Sequence, residues 1–169
     1  VIDKHLEARQ LLFTPDGVLW ASLNFPGRLG SYDGKTWKIY PGPDLWPEYP
    51  FSGIEITSDA RGNIYGIAER QEWIVKIDQD GVISKIPFAY SSLGFNPAIM
   101  RIFIDSQDTI WVNACLKNKT DACLAYYKES QWVSLVNLPF TTVTGVNEMP
   151  DGTLLVSTVI GLYKFKPEK

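Results

Sequence analysis

One short pattern returns four times along the chain at nearly equal spacing, and it restricts the fold more than anything else in the sequence. The four segments run from Gln10 to Trp20 (QLLFTPDGVLW), Glu55 to Tyr65 (EITSDARGNIY), Arg101 to Trp111 (RIFIDSQDTIW) and Gly145 to Leu155 (GVNEMPDGTLL). Each carries a turn residue at one anchor position: Gly17, Gly62, Asp108 and Gly152, at intervals of 45, 46 and 44 residues. Three residues after the anchor stand Trp20, Tyr65, Trp111 and Leu155. Recurrence at 20 to 50 residues marks stacked repeats, so self-similarity decides the architecture before local propensity does.

Within each unit the chain reads as short strands joined by tight turns. Gly at the anchor suits a hairpin position with positive φ, and Asp tolerates it. A second strand rich in β-formers follows: Val18 to Leu23, Asn63 to Ala68, Thr109 to Cys115 and Thr153 to Thr158. A third strand covers Leu29 to Asp33, Trp73 to Asp78, Cys123 to Lys128 and Gly161 to Lys166. Turns at Asp33-Gly34, Asp80-Gly81 and Glu129-Ser130 lead to a fourth: Thr36 to Tyr40, Val82 to Pro87 and Gln131 to Leu135. The second strands are apolar on both alternating faces. In the third unit Ile110, Val112 and Ala114 are expected on one side, Trp111 and Cys115 on the other. A strand buried on both faces belongs to a sheet covered on both sides.

Radially stacked four-stranded blades meet that condition at this period. The expectation is an all-β chain, a β-propeller of four-stranded antiparallel blades with about four blades present. A β-sandwich is the rival, and sandwiches rarely repeat so regular a unit. The chain is read as one propeller domain or propeller segment over residues 1–169, with blades at about 8–40, 54–87, 99–136 and 143–166. The fourth unit lacks an outermost strand after Phe165. Either residues 1–6 supply it and close a four-bladed ring, or the chain is part of a larger propeller with further blades.

Composition removes several functional classes. The formal net charge is −3, which gives no electrostatic basis for a nucleic-acid or anionic-membrane partner. No apolar run approaches the roughly 20 residues that span a bilayer, so no membrane insertion of this segment is expected. The one histidine, His5, and two cysteines, Cys115 and Cys123, are not spaced for zinc. No Asp-x-Asp-x-Asp pattern supports calcium. No catalytic residue, metal or cofactor is expected. The carboxylates Asp44, Glu48, Glu69 and Asp121 are scattered, and spacing pairs none of them.

The pattern of a hydrophobic strand, Asp16-Gly17-Val18-Leu19-Trp20, then Gly161-Leu162-Tyr163-Lys164-Phe165 resembles the two-component regulator propeller repeat. The second unit, Gly62-Asn63-Ile64-Tyr65 with Ile77-Asp78-Gln79-Asp80-Gly81, is as similar to the NHL or streptogramin-lyase type of repeat. The regulator resemblance implies an extracytoplasmic, ligand-sensing propeller in bacteria. The lyase resemblance implies catalysis by histidine and metal, and this chain has no suitably placed histidine for it.

In such blades the loop between strands two and three shares a face with the connection to the next blade. That loop varies in length here, and variation on a constant scaffold is where specificity is built. The connections Pro41 to Phe51 and Pro87 to Pro97 are long and aromatic. The ligand-binding candidates on that face are Asn24, Arg28, Trp46, Tyr49, Glu69, Arg70, Tyr90, Phe95 and Asn118. Flat aromatic faces beside amide, carboxylate and guanidinium groups suit a small carbohydrate or peptide ligand. The same aromatics also read as plugs between blades, and Glu69-Arg70 as a solvated pair. Cys115 and Cys123 flank the longest of these loops. A disulfide there would contribute about 2–3 kcal/mol and fit an oxidising compartment, while a free core cysteine is the alternative.

The functional expectation is a non-enzymatic ligand-sensing or ligand-binding propeller, part of a larger extracytoplasmic sensor, periplasmic or secreted. A protein–protein interaction scaffold is the first alternative. A lyase or hydrolase of the streptogramin-lyase-like type is the second.

Overall fold

Strong β-formers interrupted at short intervals by left-handed turn residues leave the backbone one economical solution, a series of hairpins. In the computed structural model, residues 7–23, 28–45, 54–68, 72–88, 95–116, 124–135, 138–139 and 143–167 are described. Strands β1 (Ala8–Phe13), β2 (Leu19–Leu23), β3 (Arg28–Tyr32) and β4 (Trp37–Tyr40) make the first antiparallel sheet, in chain order. The second is β5 (Ile54–Ser58), β6 (Ile64–Ala68), β7 (Trp73–Ile77) and β8 (Ile83–Pro87). The third is β9 (Phe95–Ile104), β10 (Ile110–Leu116), β11 (Leu124–Lys128) and β12 (Gln131–Leu135). Among the described residues the fourth sheet has three strands: β13 (Val143–Glu148), β14 (Leu154–Thr158) and β15 (Leu162–Phe165).

These are propeller blades of up to four strands each, built by successive antiparallel neighbours with no crossover inside a blade. The chain divides into two compact units, Val1–Pro87 and Phe88–Lys169. The first unit holds blades one and two; the second holds blades three and four.

The anchor residues do what their chemistry allows. Gly17, Gly62 and Gly152 have φ of 85°, 86° and 77°, and Asp108 has 62°. The Glu129-Ser130 turn has positive φ at both residues, 52° and 63°, and joins the pair Lys128↔Gln131. Two left-handed central residues match the twist of the strands they connect.

Burial follows the repeat. All five residues of β6 are buried, as expected of a strand covered on both faces. The first unit's core sets Trp20, Leu29, Tyr40 and Leu45 against Ile54, Ile56, Ile64, Val75 and Ile77. Each such aliphatic side chain contributes about 1.5–3 kcal/mol by leaving water. Trp20 stacks on Tyr40 at 5.2 Å. The second unit's core joins Trp111 and Leu124 to Val143, Leu154 and Val156. Polar stitches run between inner strands. Gln10 donates to Ile56 O and accepts from Ile56 N, both at 2.8 Å, and Asn113 Nδ2 donates to Val143 O at 2.6 Å.

One local expectation is corrected. Phe95, read as part of the connection Pro87 to Pro97, opens β9 and pairs with Leu116. The pairing of β9 with β10 shifts register between Asn113 and Cys115. The connection after β4 contains one helical turn, α1 (Gly42–Leu45), whose Leu45 carbonyl accepts from Trp73 Nε1 at 3.1 Å.

Candidate functional site

The hairpin between strands one and two is built identically in all four blades. The residue three before the anchor donates its N–H to the residue one after it: Thr14 to Val18 O, Asp59 to Asn63 O, Asp105 to Thr109 O and Met149 to Thr153 O. The anchor N–H returns to the first residue's carbonyl: Gly17 to Thr14, Gly62 to Asp59, Asp108 to Asp105 and Gly152 to Met149. Blade two uses the same turn again between strands three and four, with Asp78, Gly81 and Val82.

Where the first residue is Asp, its carboxylate is absorbed by the turn. Asp59 accepts from Arg61 N, Asn63 N, Asn63 Nδ2 and, at 3.3 Å, Tyr65 Oη. Asp105 accepts from Gln107 N, Thr109 N and, at 2.9 Å, Trp111 Nε1. Burial would raise the Asp59 pKa, but the hydrogen bonds from Asn63, Arg61 and Tyr65 outweigh it and hold the carboxyl below 3.8. Asp33 and Asp151 are also lowered, chiefly by the backbone N–H groups of Thr36 and Thr153 respectively. The Asp-x-x-Gly spacing of Asp59–Gly62 and Asp78–Gly81, with Asp105–Asp108 beside it, was a readable signal of these anchors that the repeat alignment left unused.

Each unit has a cavity at the same place. Both sit in the wedge between successive blades, at the end carrying the hairpins just described. The first, about 320 Å³, is lined by Trp20, Lys38 and Tyr40 of blade one and by Gly62, Asp78 and Gly81 of blade two. The second, about 770 Å³, is lined by Trp111, Tyr126, Val133 and Leu135 of blade three and by Gly152, Phe165 and Lys166 of blade four. Trp111 packs there against Tyr126 and Phe165, at 5.0 and 6.2 Å.

The face expected from sequence is the opposite end of the blades, and most of it is not described. Asn24, Trp46, Tyr49, Glu69, Arg70, Tyr90, Asn118 and Cys123 lie outside the described residues, as do residues 1–6. Arg28 opens β3, half-buried and paired with Leu23. Phe95 and Cys115 are placed as strand backbone opposite Leu116 and Asn96. The disulfide expectation therefore falls outside the described side chains. Among the described residues no cluster of three His, Cys, Asp or Glu is placed to hold a metal, and no helix is long and apolar enough to cross a membrane.

Repeated four-stranded blades with one shared hairpin define the class as a β-propeller, and solved structures agree. A catalytically inactive histidine-to-alanine variant of virginiamycin B lyase from Staphylococcus aureus, solved with quinupristin, matches with a TM-score of 0.69 at 19% identity, over 100% of this chain and 58% of that one. The extracellular domain of a protein assigned as a one component system from B. thetaiotaomicron matches at 0.64 and 17% identity, over 97% of this chain and 21% of that one. A hybrid two component counterpart from the same organism matches at 0.59 and 14%, over 95% and 23%. Both propeller types that the repeat motifs resemble are thus represented. The chain spans less than two thirds of each of these proteins. No family model matches the sequence, and no curated protein does.

Proposed function

We propose that this chain is the ligand-binding part of an extracytoplasmic sensor propeller and carries no catalytic machinery of its own. The observation that carries this reading is how the repeated hairpins use their polar groups. Asp59 and Asp105 are saturated by their own turns. Chemistry for a ligand is then to be sought in the variable connections between strands, which in sequence carry the candidates Asn24, Trp46, Tyr49, Glu69, Arg70, Tyr90 and Asn118, with Arg28 and Phe95 at the first positions of β3 and β9. Likeness to extracellular domains of one and two component systems supports an extracytoplasmic place. The ligand class is a small carbohydrate or a peptide, which aromatic faces and short polar side chains recognise together.

An interaction scaffold is the second reading, favoured by an open apolar face on blade one. Leu11 and Phe13 are 61% and 68% exposed, whereas Ile56, which holds the place of Leu11 in blade two, is 2% exposed. A further blade or a partner protein would cover that face.

A thermal-shift screen against oligosaccharides and short peptides separates the readings, because a ligand of the folded state raises Tm by mass action. A shift that Trp46→Ala abolishes supports ligand binding. No shift across the screen removes it in favour of the scaffold, and turnover of a streptogramin by the purified chain would replace both with a lyase.

A further inference from the structure

We propose that Asp33-Gly34, in the turn between β3 and β4, is a site of spontaneous covalent modification, where the aspartyl carboxyl closes on the next backbone nitrogen and reopens as isoaspartate. Asp-Gly occurs four times in the chain: Asp16-Gly17, Asp33-Gly34, Asp80-Gly81 and Asp151-Gly152. A glycine has no Cβ to shield the nitrogen that must attack, so the four share the same intrinsic chemistry. The fold separates them. The nitrogens of Gly17, Gly81 and Gly152 each donate to the carbonyl three residues back, of Thr14, Asp78 and Met149, all at 2.9 Å. Gly34 N makes no hydrogen bond among the described residues.

The Asp33 carboxyl is held where the reaction needs it. Its Oδ1 accepts from Lys35 N at 2.8 Å and from Thr36 N at 2.7 Å, and its Oδ2 accepts from Thr36 Oγ1 at 3.1 Å. The ring that the Lys35 bond closes contains both the carboxyl carbon of Asp33 and the nitrogen of Gly34, so the two stay folded toward each other. The same N–H donors face the oxygen that gains charge as the nitrogen adds, as donors in an oxyanion hole do. Both residues are exposed, and nothing lies within 4 Å of the place a Cβ of Gly34 would take, which leaves room for a cyclic imide. In the first step Gly34 N bonds to Cγ of the protonated carboxyl, and one water leaves. In the second, one water adds to either carbonyl of the succinimide. Breaking the new bond restores Asp33; breaking the original peptide bond routes the chain through the side chain as isoaspartate. No oxidant or co-reactant besides water is needed. The hydrogen bonds that lower the Asp33 pKa leave little of the acid form at neutral pH, so product accumulates slowly.

Asp151 is the internal control. It too is exposed, and its Oδ1 accepts from the N–H two residues on, Thr153, at 2.9 Å. It differs in that Gly152 N is engaged. That bond must open before the nitrogen attacks, which should slow Asp151 by about fivefold relative to Asp33. The test is prolonged incubation of the folded chain at neutral pH, followed by digestion and mass spectrometry. The peptide carrying residues 33–34 should split into two species of equal mass, with a transient one lighter by one water. Methyl transfer from S-adenosylmethionine by a protein isoaspartyl methyltransferase should label that same peptide first. In urea the turns are gone and the four Asp-Gly pairs should react at similar rates. Asp33→Glu should remove most of the label from the folded protein, because the longer side chain no longer closes the same ring. Isomerisation of Asp16, Asp80 or Asp151 as fast as Asp33 in the folded chain would overturn the proposal. So would an advantage of Asp33 that persists in urea, or label retained in Asp33→Glu. Should Asp33→Glu fail to fold, the ranking of the four sites in the unaltered protein decides the matter.

Discussion

In blade two the hairpin between the inner strands closes on Asp59, which collects four hydrogen bonds and reaches Tyr65 six residues on. In blade four the same place holds Met149, and six residues on stands Leu155. The backbone bonds of the two turns are nonetheless the same, 3.1 and 3.1 Å in one and 2.8 and 2.9 Å in the other. What shapes this hairpin is therefore the left-handed residue, Gly62 or Gly152, together with the strands it joins. The Asp–aromatic pair is an additional polar layer that ties the turn to the second strand. Loss of the carboxylate and loss of its aromatic donor go together in blade four, as they should, because a Tyr or Trp donor buried without an acceptor is costly. Blade one is intermediate: Thr14 binds Asp16 and Val18 O, and Trp20 is held by stacking on Tyr40.

The largest effect that tests this distinction is in blade three. Trp111 is 2% exposed and packs against Tyr126 and Phe165. Trp111→Ala should cost about 3–5 kcal/mol, read as a lowered denaturation midpoint. The sharper comparison is Trp111→Phe against Trp20→Phe. Both keep an aromatic ring, but only the first leaves Asp105 Oδ2 without its indole donor. Trp111→Phe should be worse by about 1–2 kcal/mol. Equal costs would mean that the indole–carboxylate bond adds nothing to packing.

Next in size is the carboxylate itself. Asp59→Ala strands the buried side chain and N–H of Asn63 and the partly buried N–H of Arg61, and should cost about 2–3 kcal/mol by chemical denaturation. Met149→Ala at the matching position should cost under about 1 kcal/mol, since Met149 is only partly buried and its turn holds together through the backbone. Gly62→Ala should fall between them, about 1–2 kcal/mol. Its φ of 86° is unfavourable for any Cβ, and the nearest atom to that Cβ, Gln79 Nε2 at 3.5 Å, leaves room enough that the cost is conformational rather than steric. A larger loss for Gly62→Ala than for Asp59→Ala would reverse the ranking of backbone and polar layer within this turn.

These turns also show why the fold was legible in the sequence and the site was not. A hairpin is local: an anchor with positive φ, a run of β-formers and a mid-forties period are all visible in the chain as written, from Gly17 to Gly152. The start of β9 was not, because Asn96 and Pro97 read locally as loop. Only pairing with Leu116, beyond a bulge in β10, makes Phe95 a strand residue. A proline inside a strand is tolerated at bulges and edges, which no local window reveals. The wedge cavities are further still from local reading. Val133 and Leu135 look like ordinary strand residues until they are set beside Lys38 and Tyr40, whose covering turn comes from another blade. The predicted aromatic face depends on Trp46, Tyr49 and Tyr90, where no periodic pattern fixes the backbone.

The smallest predicted effect concerns acid. The folded-state pKa values of Asp33, Asp59 and Asp151 all lie below 3.8. A carboxyl whose folded pKa is depressed binds fewer protons folded than unfolded, so it stabilises the fold above its unfolded pKa. That contribution is lost as the pH falls through the folded value. Stability should be level from neutral pH to about 5 and decline below it. The three groups do not matter equally. Asp33 accepts at an exposed turn, and the Asp151 carboxyl is itself exposed although its donor Thr153 is buried, so water can replace much of what either loses; Asp59 is 3% exposed and its Asn63 donors are buried with it. Asp59→Asn should therefore flatten the decline between pH 5 and 3 measured by urea unfolding, while Asp33→Asn and Asp151→Asn leave its slope nearly unchanged. If all three variants flatten it alike, proton linkage is spread over the exposed turns as well, and the buried carboxylate of blade two loses its separate standing from the polar rim of the others.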